Sequence, residues 1–411
     1  MTKKTLRHSA LDDVIIDGDC MSFAGQKLTE IADNVGSTPF YAYDRQALTD
    51  RVAELRKTLP PEMHLHYAIK ANPHPDLVAH MVSLVDGLDV ASGGELNVAL
   101  GCGADAANVS FAGPGKTANE LERALNAGIV VNLESANEMR TLAQMAKARD
   151  LRPKVAIRVN PDFELKTSGM RMSGGPKQFG IDAEQVPGVL KELAGLSLDF
   201  IGFHIFAGSQ NLDVGAIIEA QTKTLELAGR LSRDAPAAVR SLNIGGGLGI
   251  PYFPGDQALD LAPLGSHLQT LVGQARTSLP EATLVLELGR YLVGEAGIYV
   301  CRIVDRKISR GQVFLITDGG LHHHLSASGN FGQVIRKNFP VLIGNKIRGE
   351  NREIATVVGP LCTPLDLLAD RMEFVVADVG DLVVVLQSGA YGYTASPLGF
   401  LGHPAPKEIL L

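Results

Sequence analysis

The stretch HLHYAIKAN (64–72) is a short apolar run that ends in a lysine, and it is the first of eight similar runs. The others are GLDVAS (87–92), VSFAG (109–113), IVVNLES (129–135), KVAIRVN (154–160), LDFIGFHIFA (198–207), SLNIGGG (241–247) and TLVLELG (283–289). Segments with helical spacing lie between them, such as 136–150 and 213–234, which Ser135 and Asp213 are expected to cap. Eight strand–helix units over roughly 250 residues predict a (β/α)8 TIM barrel rather than an open doubly wound sheet.

After residue 290 the pattern changes to β-rich runs. These are VFLITDGG (313–320), ATVVGPLC (355–362), RMEFVVADVGDLVVVLQSG (371–389) and PKEILL (406–411). Little helical spacing lies between them, which favours an all-β lobe. The residues before position 40 fit neither pattern and are expected to join that lobe. We therefore expect a barrel over residues 40–285 and a β-rich domain built from residues 1–39 and 286–411.

Composition excludes several classes of protein. The chain of 411 residues carries 38 lysines and arginines against 45 aspartates and glutamates, a net charge of −7, which argues against a nucleic-acid-binding surface. No apolar run approaches the ~18 residues of a membrane helix, and the N-terminal stretch lacks the apolar core of a secretory signal. The four cysteines are widely separated, which predicts neither a disulfide framework nor a zinc site. We expect a cytoplasmic globular protein.

Lys70 ends the first predicted strand, at the barrel face where active sites lie. Behind Tyr67, Ala68 and Ile69 its amine is expected to be partly desolvated, and desolvation frees an amine for Schiff-base formation. The alternative interpretation is a surface lysine at the end of a strand.

Two other strand ends carry candidate binding groups. Gly245, Gly246 and Gly247 follow the seventh strand, where consecutive glycines let backbone N–H groups face phosphate oxygens. The alternative is a tight turn that needs positive φ. Glu287 and Arg290 close the eighth strand, where the carboxylate could face a pyridine nitrogen and the guanidinium could bind phosphate. A structural ion pair between the two is equally open.

The β-rich part offers further candidates. Cys362 lies in the loop GPLCTPLD (359–366), although a lone cysteine is more often a small buried apolar residue than a catalyst. Tyr391 lies in the glycine-flanked stretch GAYGYTASP (389–397). The run His322–His324 invites a metal interpretation, but successive residues of an extended chain point to opposite faces, so no metal site is predicted. The glycine-rich stretch 168–180 follows the fifth strand and is expected to be an active-site loop.

Taken together, these features resemble the fold-type III pyridoxal-phosphate decarboxylases, the family of diaminopimelate, ornithine and arginine decarboxylases, whose barrel is like that of alanine racemase. The resemblance spans nearly the whole chain, with the motifs in the family's order. Two subgroups look most similar, the butirosin glutamyl-carrier-protein decarboxylase and the exosortase-associated decarboxylase-like proteins. The stretches that carry this likeness are GPGK (113–116), GGPKQFG (174–180), GSQNL (208–212), GGLHHH (319–324), GPLCTPLD and FLGHPAP (400–406).

The resemblance implies pyridoxal 5′-phosphate as cofactor and assigns roles to particular positions. Lys70 matches the lysine that binds the cofactor as a Schiff base, and Glu287 matches the carboxylate that faces the pyridine nitrogen. Cys362 matches the catalytic cysteine, which with Tyr391 reaches into the partner's site across a homodimer with shared active sites. The other matched positions line the cofactor pocket or its phosphate cradle: Asp89, Arg158, Ser209, Gly245, Gly246, Gly247 and Arg290.

Departures from the family pattern concern the substrate. Where diaminopimelate decarboxylases read like HCHIGSQ, this chain has HIFAGSQ (204–210), so Phe206 replaces a histidine that stacks on the cofactor. His204 and Phe206 share strand parity and are both expected to point inward. Thr363 replaces the acid after the catalytic cysteine, and residues 322–332 replace an arginine-containing segment. We expect His322–His324 and Phe331 to line a longer, mostly neutral channel. In addition, Leu288 stands where the family usually has a proline.

The implied function is α-decarboxylation of an amino acid or of a carrier-protein-tethered aminoacyl substrate, rather than of free ornithine. Three alternatives stay open. The first is diaminopimelate decarboxylase proper, for which Arg336 or Lys337 would supply the missing charge. The second is an amino-acid racemase on the same barrel, and the third is a pyridoxal-phosphate-binding protein without enzymatic activity.

Overall fold

The computed structural model describes residues 8–163, 170–171, 174–333 and 336–411. Its strands are β1 Ile16–Asp17, β2 Cys20–Phe23, β3 Gln26–Lys27, β4 Phe40–Tyr43, β5 His64–Ala68, β6 Gly87–Val90, β7 Val109–Phe111, β8 Val130–Leu133, β9 Lys154–Asn160, β10 Met170–Arg171, β11 Ile181–Asp182, β12 Asp199–His204, β13 Gly208–Ser209, β14 Ser241–Gly246, β15 Thr283–Leu288, β16 Gly297–Ser309, β17 Gln312–Thr317, β18 Val341–Ile343, β19 Arg352–Val358, β20 Leu367–Val375, β21 Leu382–Val385 and β22 Lys407–Leu410.

The α-helices are α1 Leu28–Val35, α2 Arg45–Thr58, α3 Pro75–Val82, α4 Gly93–Gly101, α5 Ala118–Ala127, α6 Ala136–Ala148, α7 Val186–Leu193, α8 Val214–Leu231, α9 Leu261–Ser278 and α10 Arg290–Val293. Short 3-10 turns occur at Ser9–Leu11, Ile69–Ala71, Ala106–Asn108, Ser232–Asp234 and Phe400–Gly402. Within these ranges, no helix is long and apolar enough to cross a membrane.

The chain divides into two compact units. The barrel unit comprises Asp50–Gly249 and Leu259–Gly289. The lobe unit comprises the residues up to Thr49, Ile250–Ala258 and Arg290–Leu411.

In the barrel unit, parallel strands follow one another in the order β5, β6, β7, β8, β9, β12, β14, β15. The ring closes because β15 pairs with β5, with Glu287 opposite His66. All of the strands predicted from the apolar runs are present, so the predicted TIM barrel is confirmed. Parallel neighbours bring every strand's carboxyl end to one face of the barrel, where active sites of this fold lie.

The predicted barrel helices form because each has a cap and an apolar face. The side chain of Ser135 accepts a hydrogen bond from the backbone N–H of Glu138 at the start of α6, and Asp213 accepts one from Ala216 at the start of α8. Such caps satisfy N–H groups that the first turn leaves unpaired, worth roughly 1 kcal/mol each. The helices predicted over 136–150 and 213–234 are confirmed, and they end at Ala148 and Leu231.

The lobe unit is built on a sheet in the order β18, β21, β16, β17, β19, β20, which confirms the expected all-β lobe. The 13-residue strand β16 joins its two halves, pairing with β21 along Tyr299–Arg302 and with β17 along Ile303–Ser309. None of the runs predicted from the sequence covers β16. β4 comes from the early part of the chain and lies between β16 and β22. Its residues Phe40–Tyr43 are almost wholly buried in this lobe.

Candidate active site

Lys70 lies just beyond the end of β5, in the 3-10 turn Ile69–Ala71, rather than in the strand as predicted. The chain turns there because the Tyr67 hydroxyl donates a 2.8 Å hydrogen bond to the carbonyl oxygen of Asn72. The lysine side chain is 41% exposed, and its Nζ lies 3.5 Å from Glu287 Oε1. The same Nζ lies 5.5 Å from the centre of the Phe206 ring. The amine therefore sits between a carboxylate and an aromatic face.

Glu287 is a buried acid at this end of the barrel, held on both of its oxygens. It lies on β15, is 4% exposed, and accepts a 2.9 Å hydrogen bond from His204 Nε2 and a longer one, 3.4 Å, from Asn243 Nδ2. Burial by itself would raise the pKa of Glu287, but the Lys70 ammonium and the hydrogen bond from His204 outweigh it. The pKa is held well below its ordinary value, so the carboxylate is ionised.

His204 and Phe206 occupy different environments. β12 ends at His204, so the strand-parity argument that paired Phe206 with it does not apply. The Ile205 N–H donates to the Asn243 carbonyl instead, and the chain then turns so that the Phe206 ring faces Lys70 and packs against Gly245. His204 is buried against Glu287, and its Nδ1 has no hydrogen-bond partner among the described residues.

Gly245 and Gly246 end β14, the seventh barrel strand, and Gly247 follows it; the last two leave no room for a side chain. A Cβ on Gly246 would lie 2.1 Å from the Glu287 carbonyl oxygen, and one on Gly247 would lie 2.4 Å from that of Gly208. Gly245 and Gly247 both have positive φ, which a residue with a side chain rarely adopts. The Gly245 N–H is already used, because it donates to Asn243 Oδ1. Ser209 lies beside this turn on β13, paired with Met170 on β10.

Asp89 on β6 lies in a chain of polar side chains that crosses four barrel strands, β5 to β8. Its Oδ1 accepts a hydrogen bond from the Ser110 hydroxyl, and Asn132 Nδ2 donates to that same hydroxyl oxygen over 3.1 Å. His66 lies on the other side, with Nδ1 3.4 Å from Asp89 Oδ2. Only Asp89 of these residues was predicted. The others stand on strands next to one another in the sheet, and the pairing of those strands brings them together.

Arg158 on β9 is held by Glu134, which the sequence analysis missed. Arg158 Nη1 donates to Glu134 Oε1, at 2.5 Å, and the guanidinium lies 5.0 Å from the Phe179 ring centre. Glu134 also accepts N–H groups from Gly113 and Gly180, at 2.6 and 2.8 Å. The carboxylate thus ties the loops after β7 and β9 together. The sequence does contain a sign of this role. Glu134 stands near the end of the apolar run IVVNLES, just as Lys70 and Glu287 stand near the ends of theirs. Residues 168–169 and 172–173 of the predicted glycine-rich loop lie outside the described residues.

In the lobe unit, Arg290 and Tyr391 are brought together. The Arg290 guanidinium lies 4.6 Å from the centre of the Tyr391 ring and 5.5 Å from that of Tyr252, whose hydroxyl accepts a hydrogen bond from Nη1 at 3.1 Å. Arg290 Nε is buried and has no hydrogen-bond partner among the described residues. Burial would lower the pKa of Arg290, but the effect of Tyr252 and Tyr391 is larger and raises it, so the guanidinium stays positively charged. Tyr391 adopts positive φ, which few residues with a side chain do.

Cys362 is exposed on the lobe, in a loop held by Asp366. Asp366 is 2% exposed and accepts the backbone N–H groups of Leu321 and Leu361. Thr363 Oγ1 accepts the N–H of Leu365, so this side chain turns back onto its own loop.

The expectation that His322–His324 line an open channel is wrong. All three side chains are at most 1% exposed, because they are tied into the lobe interior. His323 Nε2 lies 3.0 Å from the Pro404 carbonyl oxygen, and His324 Nε2 lies 2.9 Å from the Ser388 hydroxyl. Burial lowers the pKa of His324 to about 3 and that of His323 to about 4, so both are neutral at pH 7. Phe331 is the exposed member of the predicted set, at 38%.

Comparison with known proteins gives a consistent result. Residues 45–294 match the family model described as pyridoxal-dependent decarboxylase, pyridoxal binding domain. The L-glutamyl-[BtrI acyl-carrier protein] decarboxylase of Niallia circulans is 38% identical over 91% of this chain and 88% of the relative. Diaminopimelate decarboxylase of Aquifex aeolicus is 32% identical over 96% and 91% of the two chains.

Another relative and a solved structure also match this chain. The 2-[(L-alanin-3-ylcarbamoyl)methyl]-2-hydroxybutanedioate decarboxylase of Staphylococcus aureus is 30% identical over 90% of this chain and 93% of the relative. Among solved structures, diaminopimelate decarboxylase from M. jannaschii in co-complex with L-lysine gives a TM-score of 0.87 at 25% identity, covering 98% of this chain and 93% of that one.

Proposed function

The chain belongs to the family of pyridoxal-dependent decarboxylases, and from this premise we propose that it binds pyridoxal 5′-phosphate on Lys70 and removes the α-carboxylate of an amino acid whose distal end carries no free charge. The observation that carries the proposal is the Lys70 amine 3.5 Å from the ionised Glu287, at the carboxyl ends of two neighbouring barrel strands.

The residues present fit this cofactor. Three successive glycines carry no side chain, and Gly245 and Gly247 have positive φ, so a ligand can approach this stretch of main chain closely, as a phosphate group requires. In the lobe unit, Arg290 keeps an unpartnered Nε for an anion. We assign Lys70 to covalent attachment, and Ser209, Gly245–Gly247 and Arg290 to the phosphate. Asp89, Arg158, His204 and Phe206 are assigned to the walls of the pocket.

Pyridoxal phosphate supplies an electron sink for the electron pair left when carbon dioxide departs. With the cofactor bound, the ionised Glu287 would favour a protonated ring nitrogen, since a carboxylate stabilises a cation beside it. His204 keeps Glu287 oriented and ionised through its hydrogen bond. Phe206, which already faces Lys70 Nζ, offers an uncharged aromatic face where a histidine would offer a proton.

We assign proton donation to Cα of the substrate to Cys362, and we place Tyr391 beside the site with it. Both lie in the lobe unit, and by resemblance they act on the partner's cofactor in a homodimer. Dimer formation and the cytoplasmic location remain predictions of this proposal. Exposure of the Cys362 side chain is compatible with a thiol that serves another subunit.

The substrate proposal rests on charges that are absent where the family's substrates need them. Thr363 carries no charge at the position of the family's acid, and His323 and His324 are neutral and turned into the lobe. Arg336 does not replace the missing arginine, because its guanidinium donates to the carbonyl oxygens of Ser328 and Leu367. An ammonium or carboxylate buried without a partner costs several kcal/mol, so a distal amide or thioester is favoured.

The name of one relative supports this direction, because that enzyme acts on a glutamyl group joined to a carrier protein. The substrate named for another relative carries an amide link to its alanyl group but ends in a hydroxybutanedioate with two carboxylates, so it supports the amide and not an uncharged end. The second candidate is diaminopimelate decarboxylase proper, which the 32% identity to the Aquifex protein favours.

The function is tested with the purified protein. We expect a yellow protein, a borohydride-reduced cofactor on the peptide that contains Lys70, and carbon dioxide release from an acylated or carrier-bound amino acid. A racemase would instead change optical rotation without releasing carbon dioxide. A K70A variant that still retained a reducible cofactor on that peptide would refute the assignment.

A further inference from the structure

His66 lies on β5, four residues before Lys70, and its side chain is 12% exposed. Its Nδ1 lies 3.5 Å from Asp89 Oδ1 and 3.4 Å from Asp89 Oδ2, a long contact to both oxygens that becomes an ion pair when the imidazole is protonated. Asp89 is 4% exposed. A carboxylate buried to this extent requires a cation or several donors, and His66 supplies a group that can become one.

The neighbouring strand leaves space for this imidazole. Gly87 on β6 is the register partner of His66. A Cβ at position 87 would lie 2.5 Å from His66 Nε2 and 2.4 Å from the Asn108 carbonyl oxygen. The glycine that opens GLDV therefore makes room for a histidine at position 66.

Charged groups face His66 from every side of β5. Glu287 is its register partner on β15, and Asp86 and Asp89 approach from β6 and the turn before it. Asp86 forms an ion pair with Arg56 on α2, at 2.8 Å. His64 lies on β5, the strand that also carries His66. Burial would lower the pKa of His66, but Asp89, with smaller effects from Glu287 and Asp86, outweighs it and raises the pKa above 6.5.

We propose that His66 is a positioning residue that carries the positive charge balancing Asp89 and Glu287, so that Lys70 can give up its own charge. The inference rests on the proposed cofactor site. An amine must lose its proton before it bonds to a carbonyl carbon, and nearby carboxylates hold it as an ammonium. Glu287 lies 3.5 Å from Lys70 Nζ, so a cation on His66 weakens that hold.

The test compares H66N and H66Q with H64N. An amide keeps an N–H donor near Asp89 but cannot take up a proton, and two amide lengths guard against one variant failing to fold. His64 is the matched control, since it lies on the same strand and is exposed. All three variants are loaded with pyridoxal phosphate, and cofactor release is followed by absorbance at pH 6 and at pH 9.

We expect H66N and H66Q to release the cofactor about tenfold faster than the wild type at pH 6, one pK unit of lost interaction, and at the same rate at pH 9, where His66 is neutral too. H64N should match the wild type at both values. An equal acceleration at both pH values would make His66 a packing residue, and no acceleration at either would also overturn the proposal.

A second measurement does not depend on the cofactor. With carbon-13-labelled histidine, the resonance that disappears in H66N or H66Q should titrate above pH 6.5 in the wild type, and a midpoint below 6.5 would overturn the assignment. If the wild type held no pyridoxal phosphate, the proposed function would fail, whereas this titration would still decide whether His66 carries the charge.

Discussion

His204 Nε2 lies 2.9 Å from Glu287 Oε2, and the two side chains are 2% and 4% exposed. A carboxylate can only accept, so this nitrogen carries the shared proton. The histidine therefore stabilises the anion at the deepest acid of the pocket, while Lys70 contacts its other oxygen from the more exposed side. One carboxylate is held by a buried donor on one oxygen and by the reactive amine on the other.

Replacing His204 tests this arrangement. In H204A, Glu287 loses its shortest hydrogen bond, and a hydrogen bond to a charged group is worth ~1.5–3 kcal/mol. We expect kcat/KM to fall by roughly 10- to 100-fold. The pH at which activity is lost on acidification should also rise, because the pKa of Glu287 is no longer held as low. Steady-state kinetics extended from pH 9 down to about pH 4 measure both effects, with H64A as the control. Unchanged kinetics would contradict the role given to the pair.

Glu134 should affect stability in a pH-dependent way. Burial would raise its pKa, but Arg158 and the backbone N–H of Gly180 outweigh it, so the pKa is lowered in the folded protein. Its contribution is present above the unfolded-state pKa and is lost as the pH falls through the folded-state value. E134Q leaves the Arg158 charge unpaired, and we expect a loss of ~3 kcal/mol at pH 7 that shrinks below about pH 4.5. Calorimetry across this range measures the difference, and a constant loss at all pH values would count against the ion pair.

The glycine turn should not tolerate a methyl group. In G246A the new Cβ would lie 2.1 Å from the Glu287 carbonyl oxygen, so β14 and β15 must separate locally. We expect a loss of cofactor affinity of at least tenfold, measured by titrating the stripped protein with pyridoxal phosphate. The control is G273A, because Gly273 lies on α9 with nothing within 4 Å of its Cβ position, where alanine favours the helix. Normal affinity in G246A would show that the turn has no part in binding.

Shared active sites predict complementation between inactive subunits. If Cys362 and Tyr391 serve the partner's cofactor, a mixed dimer of K70A and C362A subunits carries one intact site. Statistical mixing gives about half mixed dimers, so roughly a quarter of wild-type activity per total site should return. Subunit exchange is verified by mass spectrometry of differently tagged chains. If exchange is complete and activity does not return, each site is made from one chain.

The substrate prediction is the most demanding. We expect poor turnover of free diaminopimelate and ornithine, and better turnover of amino acids with an acylated or carrier-bound distal end. Each 1.4 kcal/mol that an unpaired buried charge adds to the free energy of the bound substrate lowers specificity for that substrate tenfold. Steady-state kinetics over a panel of free amino acids and aminoacyl-carrier thioesters measure it. Turnover of free meso-diaminopimelate at a kcat/KM of ~10⁴ M⁻¹s⁻¹ or more would favour the second candidate function.

The barrel could be predicted because each of its strands is a local apolar run between helical segments, and local periodicity is visible in one sequence. The strand β16 could not be predicted in this way. Its first half, Gly297–Cys301, is buried and its second half carries charged residues, so no single pattern of apolar residues spans it. The residues that contact the predicted site residues could not be predicted for another reason. His66 and Asp89 are 23 positions apart, and His204 and Glu287 are 83 apart, and these separations become short only when the barrel strands pair side by side.

The position of β4 has a consequence for synthesis on the ribosome. This strand emerges before the barrel strands, yet its two neighbours, β16 and β22, pair with it through Gly297–Val300 and Lys407–Leu410, which follow the barrel in the chain. The barrel strands can therefore pair with one another before Lys407–Leu410 are made. Until then, β4 is an apolar strand with two open edges, the kind of segment that chaperones bind and that misassociates between chains. Removing residues 407–411 should therefore harm yield and solubility more than their small number suggests.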